Sequence, residues 1–326
     1  MSIMVSAFLA ILPIFLLIGV GMIADKCRFL PDNLSSMLSA YVLRLALPIL
    51  LLRIIGSADL GDLARGDFWF ALLLAQVVVY LMGYLGDLTF ARRGKGPAAV
   101  TALGCSCCNA AFLGLPIIAS LLPNNPEALL AAGIATVTPS ISMVPGQVTL
   151  EFLRQKEQQS AQVGIGTLLI RAFLHNPIFM GLLSGVVLCL SGIGLWAPLD
   201  RTAELIGQTC GPCALVALGL DMRSRMGVAM RAEAHAFRVP LGVLLVKLVI
   251  HPLLAWLLLA VCGVSGLWLA VGVIMAGTAT GVAVYMMADY YQTVPEEGAL
   301  SVVLTNGLNL FTLSIFAFIF RLMGAI

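Results

Sequence analysis

Stretches long and apolar enough to cross the hydrocarbon of a bilayer recur along this chain, and that recurrence limits its fold more than any other feature. A spanning helix needs roughly 20 mostly apolar residues. Ten such stretches lie at about 3–24, 33–55, 68–90, 97–121, 127–150, 164–191, 200–220, 239–262, 267–289 and 298–321. Backbone groups in lipid must pair inside the protein, so these segments are read as helices, and no barrel-type alternation is visible. Charged residues make up only 10% of the chain, against about 25% in a soluble domain. The expectation is an all-α polytopic membrane protein with ten transmembrane helices.

A net charge of +2 with no basic run excludes a nucleic-acid partner. The first apolar run has no Lys or Arg before it and exceeds a signal h-region of about 7–15 residues, so it is read as a retained helix. Loop charges set the orientation. With the N-terminus outside, the inner loops hold Lys26, Arg28, Arg92, Arg93, Lys95, Arg154, Lys156, Arg223, Arg225, Arg231 and Arg238, eleven against four outside (Arg53, Arg65, Arg201 and Arg321). That bias puts both termini outside, which is periplasmic for a bacterial inner-membrane protein.

The chain also matches itself. Pro13-Ile14-Phe15 with Gly21 recurs as Pro177-Ile178-Phe179 with Gly185, 164 residues later, and Pro212 follows Pro48 at the same offset. Chance is the competing explanation, since proline and glycine are common in membrane helices. Two matches at one offset favour two five-helix repeats, 1–150 and 164–326, joined by a cytoplasmic linker at 151–163. Five is odd, so the second copy starts from the opposite side. Inverted repeats are typical of secondary transporters, whose sites lie where broken helices meet at mid-membrane.

Two interruptions occupy corresponding positions. The fourth span carries Asn109, Gly114 and Pro116 in its middle, and proline removes a helical hydrogen bond. The same offset leads to Gly277-Thr278-Ala279-Thr280-Gly281 in the ninth span. A tolerated kink and a close-packing small-residue face would explain either one alone; together they point to a site. Helix N-termini exposed there would attract an anion.

Ionisable groups at mid-bilayer cost at least ~2.5–3.5 kcal/mol each. Arg44 lies in the second span, and Lys247 and His251 are four residues apart in the eighth, hence on one face. The acids Asp87, Glu151, Asp221 and Asp289 fall near inner helix ends and are expected to be solvated. An unpaired cation would be relieved by a bound carboxylate. The alternatives are that Lys247 snorkels to the inner face and that His251 is a neutral packing residue. Arg171 and His175 lie nearer the inner third of the sixth span and are expected to snorkel. Thr305, Asn309 and Thr312 share a face of the tenth span near Asn306; the fifth carries Thr136, Thr138, Ser140, Ser142 and Gln147. Interhelical bonding explains most such groups, and a minority would line a path.

Cys210-Gly211-Pro212-Cys213 has the look of a thioredoxin motif, which needs a βαβ context and a thiol at a helix N-terminus; here it sits inside an apolar span. No zinc spacing, no nucleotide-binding glycine loop and no nucleophile–base pair are present, so neither enzyme chemistry nor a cofactor is expected.

Asn109 followed by Gly114-Leu115-Pro116, His175-Asn176-Pro177 opening the sixth span, and Lys247 with Pro252 in the eighth resemble the auxin efflux carrier family over the whole chain, its bacterial malonate-carrier-like members above all. The resemblance implies a fold like the bile-acid:sodium symporters. The first, second, sixth and seventh spans would form a scaffold, commonly dimeric, and the other six a moving transport domain. The fourth and ninth spans would cross at their breaks, with Asn109 and Pro116 lining the site and Thr278 to Gly281 as its second half. Where the family often has proline in the ninth-span crossover, this chain has Thr280.

The functional expectation is an alternating-access carrier of a small organic anion, malonate or a similar carboxylate. Asn109, Gly114, Pro116, Thr278, Thr280, Gly281 and Asn309 would hold it. Arg44 or Lys247 would supply counter-charge. A proton, coupled through His251, is favoured over sodium, for which no mid-membrane carboxylate is available. The rivals are a membrane thiol-redox protein using Cys210 and Cys213, and an anion channel.

Overall fold

A computed structural model describes residues 3–28, 30–123, 125–158, 164, 166–167, 170, 173, 176–230 and 234–326. Arg171, His175 and Arg231, most of the start of the sixth span and the end of the linker at 159–163 lie outside the described residues. Among those described, the chain is helical and no strand is present. The helices are α1 (Ile3–Lys26), α2 (Leu34–Gly56), α3 (Leu60–Ala91), α4 (Lys95–Ser106), α5 (Ala110–Leu121), α6 (Pro126–Lys156), α7 (Pro177–Ser191), α8 (Ala197–Ala229), α9 (Arg238–Val261), α10 (Gly266–Ala276), α11 (Ala283–Tyr290) and α12 (Pro295–Leu322). Seven of them (α1, α2, α3, α6, α8, α9 and α12) are long and apolar enough to cross a membrane. The residues of the fourth expected span divide between α4 and α5, and those of the ninth between α10 and α11.

Prolines shape three of these helices in one way. Wide turns at Val42–Ala46, Ala110–Gly114 and Val246–Ile250 each end two residues before Pro48, Pro116 and Pro252. In each case the residue just before the proline donates to the carbonyl five back: Leu47 to Val42, Leu115 to Ala110, His251 to Val246. Proline cannot bond the carbonyl four residues back, and its ring presses on that carbonyl. Widening the preceding turn relieves the clash without ending the helix. The prolines paired by the sequence offset differ in local structure. Pro13 lies inside α1, whereas Pro177 opens α7, where Asn176 accepts from the Ile178 amide at 3.0 Å. Pro212 lies inside an unbroken α8.

Packing explains the glycines of the sequence pattern. α1 lies against α8, and a Cβ at Gly21 would sit 2.4 Å from the Val216 carbonyl oxygen. At Gly219 it would sit 2.1 Å from that of Ile18. α7 lies against α2, with Gly181 over the Pro48 backbone and Gly185 over Ile55. α12 packs on α1, α8 and α9, while α3 packs on α4, α6 and α9. Leu47, Leu51, Ile55, Phe68 and Trp268 are fully or almost fully buried, and large apolar residues on outer faces (Leu16 and Ile23 of α1, Phe70 and Leu85 of α3, Leu257 and Val261 of α9) are exposed. An apolar exterior of this kind is suited to lipid.

One of the four acids is buried, against expectation. Asp87 is 4% exposed. It pairs with Arg93, which also pairs with Glu297, and accepts from Thr101 at 2.6 Å. The ends of α3, α4 and α12 are thereby tied together. Asp221 holds Arg225, whose guanidinium lies 4.2 Å from the Tyr285 ring centroid and donates to the Val282 carbonyl at 3.5 Å. Arg93 takes the place of solvent at Asp87, whereas the Asp221 side chain stays 26% exposed. Glu151 accepts from Tyr291, and Asp289 is exposed as expected.

Because backbone fills the space opposite Gly21 and Gly219, Gly21→Val and Gly219→Val should each destabilise the purified protein by about 3 kcal/mol. Gly19→Val meets nothing within 4 Å and should leave the thermal unfolding midpoint almost unchanged.

Candidate functional site: the crossing of two broken helices

α4 stops at Ser106 and α5 starts at Ala110; α10 stops at Ala276 and α11 starts at Ala283. The intervening segments lie alongside each other, with Cys108 and Thr280 opposite in an isolated antiparallel bridge. The Asn109 amide donates to the Ala279 carbonyl at 2.8 Å, and the Gly281 amide to the Cys107 carbonyl at 3.0 Å. Each break thus supplies partners that the other lost. Gly281 permits the approach, since a Cβ there would lie 3.0 Å from the Cys107 sulfur.

α12 satisfies the rest of the ninth-span break. The Asn309 side chain accepts from the Ala279 amide at 2.9 Å and donates to the Gly277 carbonyl at 2.8 Å. One turn earlier, Thr305 accepts from the Thr280 amide at 3.1 Å and Asn306 donates to the Thr280 carbonyl at 3.3 Å. Thr280 donates its hydroxyl to the Gly104 carbonyl at 2.8 Å, at the end of α4. Side chains therefore do here what a proline would do by subtraction. Asn309, expected to bind substrate, is committed to the chain's own backbone, as is the Thr278 hydroxyl, which donates to Met275 at 2.8 Å.

Lys247 is fully buried, so it does not snorkel. Its Nζ donates to the Cys108 sulfur at 2.9 Å and the Ala276 carbonyl at 3.0 Å, and lies 2.9 Å from His251 Nδ1. Ala276 is the last residue of α10, so the cation sits where helix carbonyls carry partial negative charge. Among the described residues no carboxylate pairs with Lys247. His251 is equally buried, and its Nε2 has no partner. The amides of Ala110, Ala111 and Phe112 in the first turn of α5, just after Cys108, have no acceptor among the described residues, as helix N-termini generally lack one internally. The crossing therefore holds a buried cation and, at the start of α5, amides without an acceptor, an electrostatic setting for an anion.

Asn109, Gly114, Thr278, Thr280, Gly281, Asn309, Lys247 and His251 all meet at or beside this crossing. Asn109 and Asn306 approach at 3.5 Å, and Gly114 packs on Met275 and Thr278. Two expected residues are elsewhere. Pro116 lies beyond the wide turn, on the side of α5 facing Gly211 of α8, because its effect on the backbone falls upstream of its ring. Arg44 is exposed on the wide turn of α2. Thr305 and Asn306, noted in the sequence only among the polar groups of the tenth span, join the crossing, as does Cys108, which no sequence signal set apart. Cavities of about 380 and 430 Å³ open away from the crossing, one beside Arg53, Pro126, Leu188 and Asp200, the other beside Arg93, Lys95, Arg154 and Tyr291.

Residues 6–317 match the family model described as membrane transport protein. The chain belongs to that family, the auxin efflux carriers, and is a multi-pass membrane protein. A protein of Rhizobium meliloti (strain 1021) named "Putative malonate transporter" is 23% identical over 312 residues, covering 95% of each chain.

Asn309→Ala strands the Ala279 amide and the Gly277 carbonyl in a buried site, which should cost about 2–4 kcal/mol. Thr312→Val, which removes only a contact to Asn309, should shift the thermal unfolding midpoint far less. Equal midpoints would refute the bracing role of Asn309.

Proposed function

We propose that this chain is a secondary carrier that moves a small organic anion, malonate or a similar carboxylate, by alternating access. The observation that carries the reading is the buried, carboxylate-free Lys247 beside a helix start whose amides lack acceptors. An anion would complete both. The relative's printed name favours malonate as the first substrate to try. In this reading the chain has ten spans in two inverted fives. α1, α2, α7 and α8 form a scaffold and a homodimer contact; α3–α6 and α9–α12 move against it. The protein lies in a bacterial inner membrane with both termini periplasmic. The two cavities, one beside residues assigned to the outer side and one beside residues assigned to the inner, suit a protein that opens alternately.

Roles divide by chemistry. Asn109 and the α5 amides hold the anion, Lys247 balances its charge, and Thr280, Gly281 and Asn309 keep the segments in place. A coupled proton, seated on the Lys247–His251 pair, is preferred to sodium, because the crossing offers no carboxylate as a ligand. A thiol-redox role is poorly served. Cys210 and Cys213 are free thiols in mid-helix, away from the helix N-terminus that activates such cysteines.

Proteoliposomes should show trans-stimulated exchange of labelled malonate, which a channel cannot produce. Asn109→Ala should lower that exchange at least about tenfold, the loss of one hydrogen bond to a charged group, with expression unchanged. Changing Cys210 and Cys213 together to Ala should leave it intact. Full activity in Asn109→Ala would remove the site assignment.

A further inference from the structure

We infer that His251 binds the carried anion directly, donating its Nε2 proton to a carboxylate oxygen, and that Lys247 is the residue that fixes this tautomer; the inference rests on the carrier reading above. An ammonium has three protons and no acceptor, and Lys247 has three neighbours for them: the Cys108 sulfur, the Ala276 carbonyl and His251 Nδ1. Nδ1 must then accept, so the ring is neutral and its one proton is on Nε2. The reverse assignment, an uncharged amine accepting from Nδ1, would discard the cation that the α10 carbonyl terminus favours.

Nε2 is buried without a partner, although buried donors are ordinarily satisfied. Its neighbours give it no internal relief. Lys247 occupies the other ring nitrogen, and Cys108 lies 4.0 Å from that same Nδ1. A carboxylate accepts only, so it suits this lone donor, while an ammonium or a second hydrogen-bond donor does not. His251 thus selects for the anion, and the Lys247–His251 spacing of one helical turn lets one face supply both charge and direction.

The test separates the two ring nitrogens in reconstituted protein. His251→Asn keeps an acceptor for Lys247 near the Nδ1 position and removes the outer donor; His251→Gln places an amide near Nε2. For malonate exchange, His251→Asn should raise KM about tenfold or more with maximal rate within about twofold, the loss of one charge-assisted hydrogen bond. His251→Gln should stay within about threefold of wild type. Malonate-induced thermal stabilisation should fall in parallel, and it reports binding whether or not the anion is carried. Wild-type KM in both variants overturns the inference. So does an equal loss in both, which marks a purely structural histidine. A wild type stabilised by malonate but without exchange sinks the carrier reading alone, leaving the binding comparison to decide His251; a wild type that neither binds nor exchanges it overturns both.

Discussion

A peptide group inside a membrane has no water to turn to, so a helix that stops halfway needs substitutes for every bond it gives up. The rest of this structure follows from how those substitutes are found. The segment from Cys107 to Asn109 and the segment from Gly277 to Val282 lend each other two backbone bonds, and α12 lends side-chain amides and a hydroxyl. Together these bonds give partners to the Cys107, Gly277, Ala279 and Thr280 carbonyls of the crossing. The N-terminal turn of α5 keeps donors to spare, and a lysine is drawn to the end of α10. Asymmetry between a satisfied side and an unsatisfied one is the electrostatic ground of the proposed anion site.

The three wide turns belong to the same economy. Each leaves the helix continuous while shifting the side chains that precede a proline relative to those after it. Arg44 and Lys247 both sit on such turns, four and five residues before Pro48 and Pro252. One reaches the exterior and the other the crossing. The proline is therefore a device for aiming, and its neighbours in space decide where the aimed residue ends.

Apolar runs and their lengths were legible directly, because partition into hydrocarbon depends on local composition. The two interruptions were legible too, through their glycines and polar residues, though the fourth-span break lies well before Pro116. What could not be read were the partners. Lys247 and Cys108 are 139 positions apart and Asn309 and Gly277 32 apart, and no local rule joins them. Asn309 read as a path-lining residue because a polar face on a membrane helix looks the same whether it meets a ligand or a neighbouring backbone. Asp87 read as solvated because Arg93, six residues on, folds back over it and is held there by Glu297, 204 positions away.

Threonine in place of proline at position 280 has a mechanical consequence. From Gly277 to Val282 every residue keeps its amide hydrogen, so no covalent feature forbids that stretch from coiling into one uninterrupted rod with α10 and α11. The grip of α12, of Gly104 in α4 and of the Cys107–Asn109 backbone holds it unwound. Sliding α12 along its axis by one turn would withdraw Asn309 and Thr305 together and free the segment to rewind, turning translation of one helix into shortening of another. In the fourth-span partner Cys107, Cys108 and Asn109 keep their amide hydrogens too, and Pro116 lies beyond the break, so neither half of the crossing is locked open by its own covalent structure.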